Sequence, residues 1–499
     1  MKVVALILLV VGLFNVIVLV HELGHFLAAR WCGLVVERVG LWFGPSLFRR
    51  KVFGVELRMG SLPFGGYVVV PQMQNAAVLE GQSRYQGLLP AQPGQRALVA
   101  LAGPVFSFAL AAVLAVFVRW AGVPVSESEF NLRIGYVEKG GAAQVAGLRS
   151  GDIIRGINGV VPLRFTGLKD SVFWIVASSA EPVVSVAVER DGARRTFSVK
   201  PDLRLFSDTR PPIRDLGVEP AKACVVGRLF PNGPALLAGL RENDEIVMLN
   251  GEVLWHPHMF AERVRESEGP VVVTYRRGRA MHTVSVVPIQ PQGAERKMLG
   301  VQWDSMGRIS IDHPSVWSQL AGSASLMFDT LHTLMTSKDI KVEHLSGPVG
   351  VFRIYYVLLD SPYGWRLVLW FSVLLNVNLA IFNLLPVPVL DGGHILLALL
   401  SYLFHGVERS LWVVKLQAGV ATLLLMGILY LTFFDVLDLG RSFFGKTVVP
   451  IDTFEFRPGK RGSVPTRFTD PARKSRTGSE AAMAVSWAVE RCYRQLGSS

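Results

Sequence analysis

Two histidines four positions apart bracket a glutamate in His21-Glu22-Leu23-Gly24-His25. On a helix, positions i and i+4 share one face, so both imidazoles can reach one metal ion. The glutamate between them lies close enough to take a proton from a metal-bound water. Zinc held by three protein ligands keeps one position open for that water and brings its pKa toward ~7. The pentapeptide alone also arises by chance or as a polar cluster at a helix end. Its setting weighs against that, because the three ionisable groups lie in an apolar run from Val3 to Ala29. One such group near a bilayer centre costs at least ~2.5–3.5 kcal/mol. Groups of this kind face the protein interior and carry function.

A third ligand is still required, and no histidine or glutamate just downstream matches the soluble zinc-protease spacings. The candidate stands far away, in the segment Asn383-Leu384-Leu385-Pro386-Val387-Pro388-Val389-Leu390-Asp391-Gly392-Gly393-His394. Its prolines interrupt helical hydrogen bonds and its glycines allow a close turn. Irregular backbone at membrane depth is tolerated where it is buried in protein or lines a wet cavity. Asp391 is placed to complete a His-His-Asp set; the alternative is a helix-capping aspartate in a loop. His394 is a second candidate ligand, better suited to a structural role at a helix end.

Elements must hold these residues at membrane depth, and the composition supplies them. Of 499 residues, 50% are hydrophobic and 18% charged. The apolar residues gather in long runs separated by ordinary polar sequence, as in a membrane protein carrying soluble modules. The first run is too long for a signal-peptide core, and no small-residue cleavage site follows it. Further runs cover Ala97 to Val118, Leu367 to Leu385 and Leu411 to Phe434. Each is near the ~20 residues that cross ~30 Å of hydrocarbon.

Basic residues near the span ends set the expected orientation. Arg30, Arg38, Arg49, Arg50, Lys51 and Arg58 follow the first run, with only Lys2 before it. The segment from Arg30 to Arg96 is therefore expected in the cytoplasm and the segment from Trp120 to Trp365 outside it. The tail after Gly440 is also basic, although four spans place it outside. The formal charge of +12 fits membrane topology plus this tail, and no basic-aromatic module points to nucleic acid. Cys32, Cys224 and Cys492 are too scattered for a disulfide framework or a metal set.

The outer segment contains an internal repeat. Ala142 to Gly159 and Pro234 to Gly251 share small residues, Ala-Gly-Leu, a polar turn, an aspartate, alternating apolar positions and Asn-Gly. The pattern predicts a short helix ending at Gly147 or Gly239, then strands over Asp152 to Ile157 and Asp244 to Leu249. Asn158-Gly159 and Asn250-Gly251 suit tight hairpin turns. Strands are also expected at Val183 to Val188 and Val271 to Tyr275. Both repeats resemble PDZ domains, which bind extended peptides at a sheet edge. Beyond them, Trp317, Leu320, Ala324, Met327 or Phe328, Leu331 and Leu334 recur at helical spacing. They mark an amphipathic helix that lies either in a core or on the membrane surface.

The His21–His25 motif, the Leu390-Asp391-Gly392-Gly393-His394 segment and the paired repeats between them resemble the site-2 protease family, in its bacterial regulator of sigma E protease type. The resemblance runs from Val3 to about Phe434. Gly65-Gly66-Tyr67-Val68 is similar to the family's G-G-Y-V segment, part of a membrane-embedded β-hairpin. Gln95-Arg96 and Ala102-Gly103-Pro104 are similar to the start of its second span. Leu345-Ser346-Gly347-Pro348-Val349-Gly350 resembles the stretch before its third. Ser107 stands where the family often has asparagine, and Val69, Val70, Pro71 and Gln72 where it often has polar residues.

The resemblance implies a polytopic α-helical membrane protein with four transmembrane helices, a membrane-embedded β-hairpin and two extracytoplasmic PDZ-like α+β domains. The expected divisions are a protease core at 1–119, PDZ-like domains at 120–205 and 206–300, and an amphipathic segment at 301–364. A second core part follows at 365–440, then a basic, disordered tail at 441–499 with a short helix at 479–496. His21, His25 and Asp391 would hold Zn2+, and Glu22 would be general base and then acid. Asn383 and Asn378 would contact the substrate backbone or the oxyanion, with a helix–helix hydrogen bond as the other role for each. Gly65, Gly66 and Tyr67 would meet the unwound substrate on the Leu57–Val70 hairpin. The implied setting is a multi-pass protein of a bacterial inner membrane, its PDZ domains periplasmic and its active site near the cytoplasmic side. The implied partners are the lipid bilayer and single-span membrane proteins such as anti-sigma factors or leftover signal peptides. Peptide ends or periplasmic segments would dock on the PDZ domains. A non-catalytic PDZ scaffold is the alternative, and an ion transporter a weaker one, since the chain lacks the extra spans or inverted repeats usual there.

Overall fold

The computed structural model describes residues 2–73, 88–166, 170–179, 181–205, 210–291, 294, 296–304, 308–336, 340–404 and 411–444. The expected tail helix at 479–496 lies outside them.

The chain opens with α1 (Lys2–Trp31), whose second half carries the histidine motif. Strands β1 (Arg38–Phe43), β2 (Phe48–Val52), β3 (Val55–Met59) and β4 (Leu62–Val69) follow. They form one sheet in the order β2-β3-β1-β4. This differs from the expected Leu57–Val70 hairpin, because β1 lies between β3 and β4, parallel to β3 and antiparallel to β4. The true hairpin joins β2 to β3 through Phe53 and Gly54, both at positive φ. The resemblance implied a hairpin there but not which strand each strand would pair with. The consequence is that β4 is an edge strand, with one side of its backbone unpaired in the sheet.

Next comes α2 (Pro93–Ala121), which starts with proline at its first position, where a missing N–H costs nothing. Gln95 accepts from the Gln92 amide at 2.9 Å and donates to the Cys32 carbonyl at 3.1 Å, tying the head of α2 to the tail of α1. The two helices approach closely through small residues. A Cβ on Gly24 would stand 2.4 Å from the Ala102 carbonyl oxygen, so only glycine fits that crossing.

The two repeats come next, each with its own buried core. Their matching sequence letters make matching contacts. Asn158 and Asn250 sit at φ +49° and +52° before Gly159 and Gly251 at +80° and +82°, the signature of a primed hairpin turn. Each asparagine side chain then accepts one backbone amide at 2.7 Å, from Ser185 and Val272 respectively. Buried Asp152 accepts from the Arg149 amide and pairs with Arg190. Asp244 does the same with Arg241 and Arg277. Strand Val218–Pro220 pairs with Ile134–Val137 of the first repeat, beyond the boundary expected at 205. Strand Val301–Trp303 is the edge of the second repeat's sheet, beyond 300. Three-residue strands carry too little alternation to be read from sequence. Helix α3 (Pro257–Glu266) of the second repeat lies beside that edge strand.

The amphipathic segment forms α4 (Val316–Thr336), packed against α2 and a later span. Its buried side matches the expected stripe in part, since Leu320 is buried and Ala324 and Leu334 pack against buried clusters. Gln319, Leu320, Ser323, Leu326 and Thr333 face inward, while Trp317 and Phe328 are exposed. Gln319 earns its burial by donating to the Ala115 carbonyl at 3.0 Å. Apolar periodicity misplaces part of the inner face when the interior partner is a carbonyl.

Then come α5 (Pro348–Asp360), α6 (Gly364–Asn383), α7 (Asp391–Leu403) and α8 (Leu411–Phe444). Among the described residues, four helices are long and apolar enough to cross a membrane: Val4–Trp31, Pro93–Ala121, Gly364–Asn383 and Leu411–Leu439. The sequence runs located all four. The short helix α7 is an addition that the prolines and glycines concealed. Val10 of α1, Ala111 and Ala115 of α2, Tyr355 of α5 and Trp370 and Phe371 of α6 form a buried core joining α1, α2, α5 and α6.

Candidate metal centre

Adjacent turns of α1 place His21 and His25 side by side, their Nε2 atoms 3.2 Å apart. Asp391 arrives from the opposite end of the chain as the first residue of α7. Its Oδ2 lies 3.2 Å from Nε2 of His21 and its Oδ1 3.4 Å from Nε2 of His25. The N-cap of α7 is Leu390, and the Asp391 carboxylate faces the histidines. The turn before it is very tight. A Cβ on Gly392 would stand 2.2 Å from the Leu384 carbonyl oxygen, and one on Gly393 2.0 Å from that of Val387. The glycine pair is what lets α7 fold back against the end of α6.

The remaining ring nitrogens decide what the cluster can bind. His25 Nδ1 lies 2.8 Å from the Val99 carbonyl oxygen. A carbonyl only accepts, so the proton sits on Nδ1 and the Nε2 lone pair points into the site. Asp391 Oδ2 is buried, and its recorded partner is His21 Nε2 at 3.2 Å. Ligand-type atoms of His21, His25 and Asp391 thus converge, all within 4.8 Å of one another. That is an arrangement a borderline cation such as zinc stabilises. The residues therefore fit the metal.

A cavity of about 550 Å³ opens beside them, lined among others by Glu22, Asn383, Leu390 and His394. Gly65, Gly66 and Tyr67 of β4 line it too. A Cβ on Gly66 would stand 2.8 Å from Glu22 Cγ, so β4 lies directly against the glutamate. Asn383 places Nδ2 3.5 Å from His21 Nε2. Asn378 does not line this cavity, and its Oδ1 is buried without a partner among the described residues. His394 lines the cavity but stays outside the three-residue cluster.

The sequence profile described as peptidase family M50 matches residues 8–426. The chain belongs to peptidase family M50. Its reaction is therefore peptide-bond hydrolysis, and it is an integral-membrane protein. Protease RseP of Yersinia pestis is 29% identical over 413 residues, covering 79% of this chain and 89% of that protein. Regulator of sigma-E protease RseP of Escherichia coli K12 is 28% identical over 408 residues, covering 77% and 87%. A protein of Neisseria meningitidis serogroup A, provisionally named a zinc metalloprotease, is 28% identical over 407 residues, covering 77% and 88%.

A second cluster, Glu219 with His256 and His258, also brings three ligand-type atoms within 4.8 Å. Its chemistry differs from that of the His21, His25 and Asp391 cluster. His256 Nδ1 accepts the His258 amide at 3.1 Å, which puts its proton on Nε2, facing Glu219 at 3.0 Å. A protonated nitrogen offers no lone pair, so this is a hydrogen-bonded group. Sequence reasoning missed two polar contacts made by α1. Trp42, in the bulge of β1, donates to Asn15 of α1 at 2.5 Å, and Ser107 of α2 lies 2.9 Å from His21 Nδ1. For Trp42 a lone asparagine in an apolar run was the only signal, whereas Ser107 stood out as a departure from the family's asparagine.

Proposed function

We propose that this chain is an intramembrane zinc protease that cuts peptide bonds within the membrane-spanning segments of single-span membrane proteins. The observation that carries the reading is the convergence of His21, His25 and Asp391 between helices long enough to cross a membrane. Zinc, when bound there, polarises a carbonyl and acidifies a water. Glu22 takes the water's proton and later delivers one to the leaving amine, from a position lining the same cavity. Asn383 donates its amide proton to the scissile oxygen as charge develops there.

A helical substrate hides its carbonyls in its own hydrogen bonds, so cleavage requires local unwinding. The opened segment then carries N–H and C=O groups that must be satisfied away from water. The free edge of β4 offers such partners beside the cavity. Gly65 and Gly66 let the strand lie close to its neighbours, since a Cβ would stand 2.2 Å from the Phe43 ring and 2.8 Å from Glu22 Cγ respectively. Tyr67 covers Gly40 of β1 and stacks on Phe43, with ring centroids 6.0 Å apart, which stiffens the strand.

The two repeats act as PDZ-like domains on the periplasmic side of a bacterial inner membrane, with the active site nearer the cytoplasm. The basic residues Arg38, Arg49, Arg50, Lys51 and Arg58 on the sheet after α1 support that orientation. A cavity of about 530 Å³ between α3 and the edge strand Val301–Trp303 suits an extended peptide.

The test is to purify the full chain in detergent and incubate it with a single-span model substrate, alongside Glu22→Gln, with zinc assayed in both. Zinc in both proteins and a product cut inside the span by the wild type alone supports the reading. Zinc absent from every preparation, even with metal supplied during expression, overturns it.

A further inference from the structure

The face of α2 turned toward the histidines is built from three residues on successive turns. Val99 accepts His25 Nδ1–H through its carbonyl at 2.8 Å. Gly103 leaves room for both rings, since a Cβ there would stand 2.3 Å from His25 Nε2 and 2.9 Å from His21 Nε2. Ser107 places its hydroxyl 2.9 Å from His21 Nδ1. Both partners of this last contact are buried, Ser107 at 0% and His21 at 8% exposure.

We infer that Ser107 is the positioning residue for the metal ligand His21. The inference rests on the zinc reading above. For His21 to offer its Nε2 lone pair beside His25 and Asp391, its proton must sit on Nδ1. Ser107 is the one side chain recorded in contact with that nitrogen among the described residues, and a hydroxyl has lone pairs to accept the proton. Because a hydroxyl also donates, Ser107 satisfies His21 in its other tautomer too, with Nε2–H facing Asp391. The two ligands are thus held differently: His25 is locked by a backbone carbonyl, while His21 is held by a group that allows both tautomers. A ligand imidazole whose second nitrogen loses its partner is free to rotate away from the metal.

The test compares zinc affinity of the full chain in detergent, by chelator competition, for wild type, Ser107→Ala and Ser372→Ala. Ser372 is a second buried hydroxyl, bonded to Tyr355 at 2.9 Å in the core between α5 and α6. Losing an outer partner of a metal-bound histidine weakens binding by ~10–100-fold, and that loss is expected for Ser107→Ala alone. Cobalt in place of zinc adds a spectroscopic readout, with a changed visible spectrum expected in Ser107→Ala and none in Ser372→Ala. Activity of Ser107→Ala should recover as free zinc is raised. Zinc affinity of Ser107→Ala within twofold of wild type overturns the inference, as does an equal loss in Ser372→Ala, which would mark a general packing effect. A wild type that binds no zinc is a different result, and it overturns the protease reading itself.

Discussion

A Cβ placed on Gly103 would stand 2.3 Å from Nε2 of His25, closer than any real contact allows. Glycine at this position in α2 is therefore a requirement of the metal centre and not of the helix. Alanine is the better helix former by ~1 kcal/mol, so Gly103→Ala gains local helix stability while pushing the two imidazoles apart. The expected result is a protein that folds and melts like wild type but carries little zinc and has no protease activity. Gly94→Ala in the same helix, where nothing lies within 4 Å, should leave both unchanged. Normal zinc content in Gly103→Ala would show that the histidines accommodate the methyl group.

Glu22 is bracketed by the ligands in sequence but belongs to the cavity wall, against β4. Glutamine keeps its shape and removes its ability to carry a proton. Glu22→Gln should hold zinc at wild-type stoichiometry while kcat falls by ~10²–10⁴. The measurement is cleavage of a single-span substrate with metal content determined on the same sample. Residual activity near wild type would assign proton transfer to another group.

Asp391→Ala removes the only carboxylate of the cluster. The loss in zinc affinity should exceed the ~10–100-fold cost of deleting an outer-shell partner, and it should not be rescued by free zinc as readily as Ser107→Ala. If Asp391→Ala keeps wild-type affinity, His394, which lines the same cavity, becomes the candidate third ligand.

The legible part of this site was set by local rules. The i, i+4 spacing of His21 and His25 puts both on one helix face whatever surrounds them, and the run lengths alone located the four spans. Asp391 was legible because prolines and paired glycines mark a break where a carboxylate has no local reason to be. What stayed hidden depends on partners distant in the chain. The order β2-β3-β1-β4 is a matter of which strand lies beside which, and neither alternation nor turn chemistry encodes it. Asn15 reads as an ordinary polar residue, and Ser107 only as a departure from the family's asparagine, until the facing sheet and helix supply Trp42 and His21. The inner face of α4 was misjudged in part for the same reason, since Gln319 is buried by a carbonyl that no pattern in its own helix announces.

Glu219, in the first repeat, joins His256 and His258 at the head of α3 in the second. This contact between repeats should respond to pH. Burial opposes charge on Glu219, but the His258 hydrogen bond and the nearby His256, His258 and Arg204 outweigh it and hold the carboxyl at about 2, against an ordinary 4.5. The Glu219 hydrogen bond raises His258 above 6.5, against burial, whereas burial holds His256 down at about 4. Lys222 lowers both histidines, Glu262 adds to the rise at His258, and burial and Glu262 raise Tyr136 so that it stays neutral. The signs follow. A raised histidine stabilises the fold fully below 6.5 and loses that contribution as pH rises through its folded value. The depressed His256 and Glu219 contribute above 6.5 and 4.5 respectively, and lose it as pH falls toward about 4 and about 2. His258→Ala should therefore cost the contact most between 4.5 and 6.5 and little at alkaline pH, where wild-type His258 is neutral. Amide hydrogen exchange in α3, corrected for the intrinsic pH dependence of exchange, measures it. The same difference between variant and wild type at acidic and alkaline pH would mean that His258 acts through packing and not through its charge.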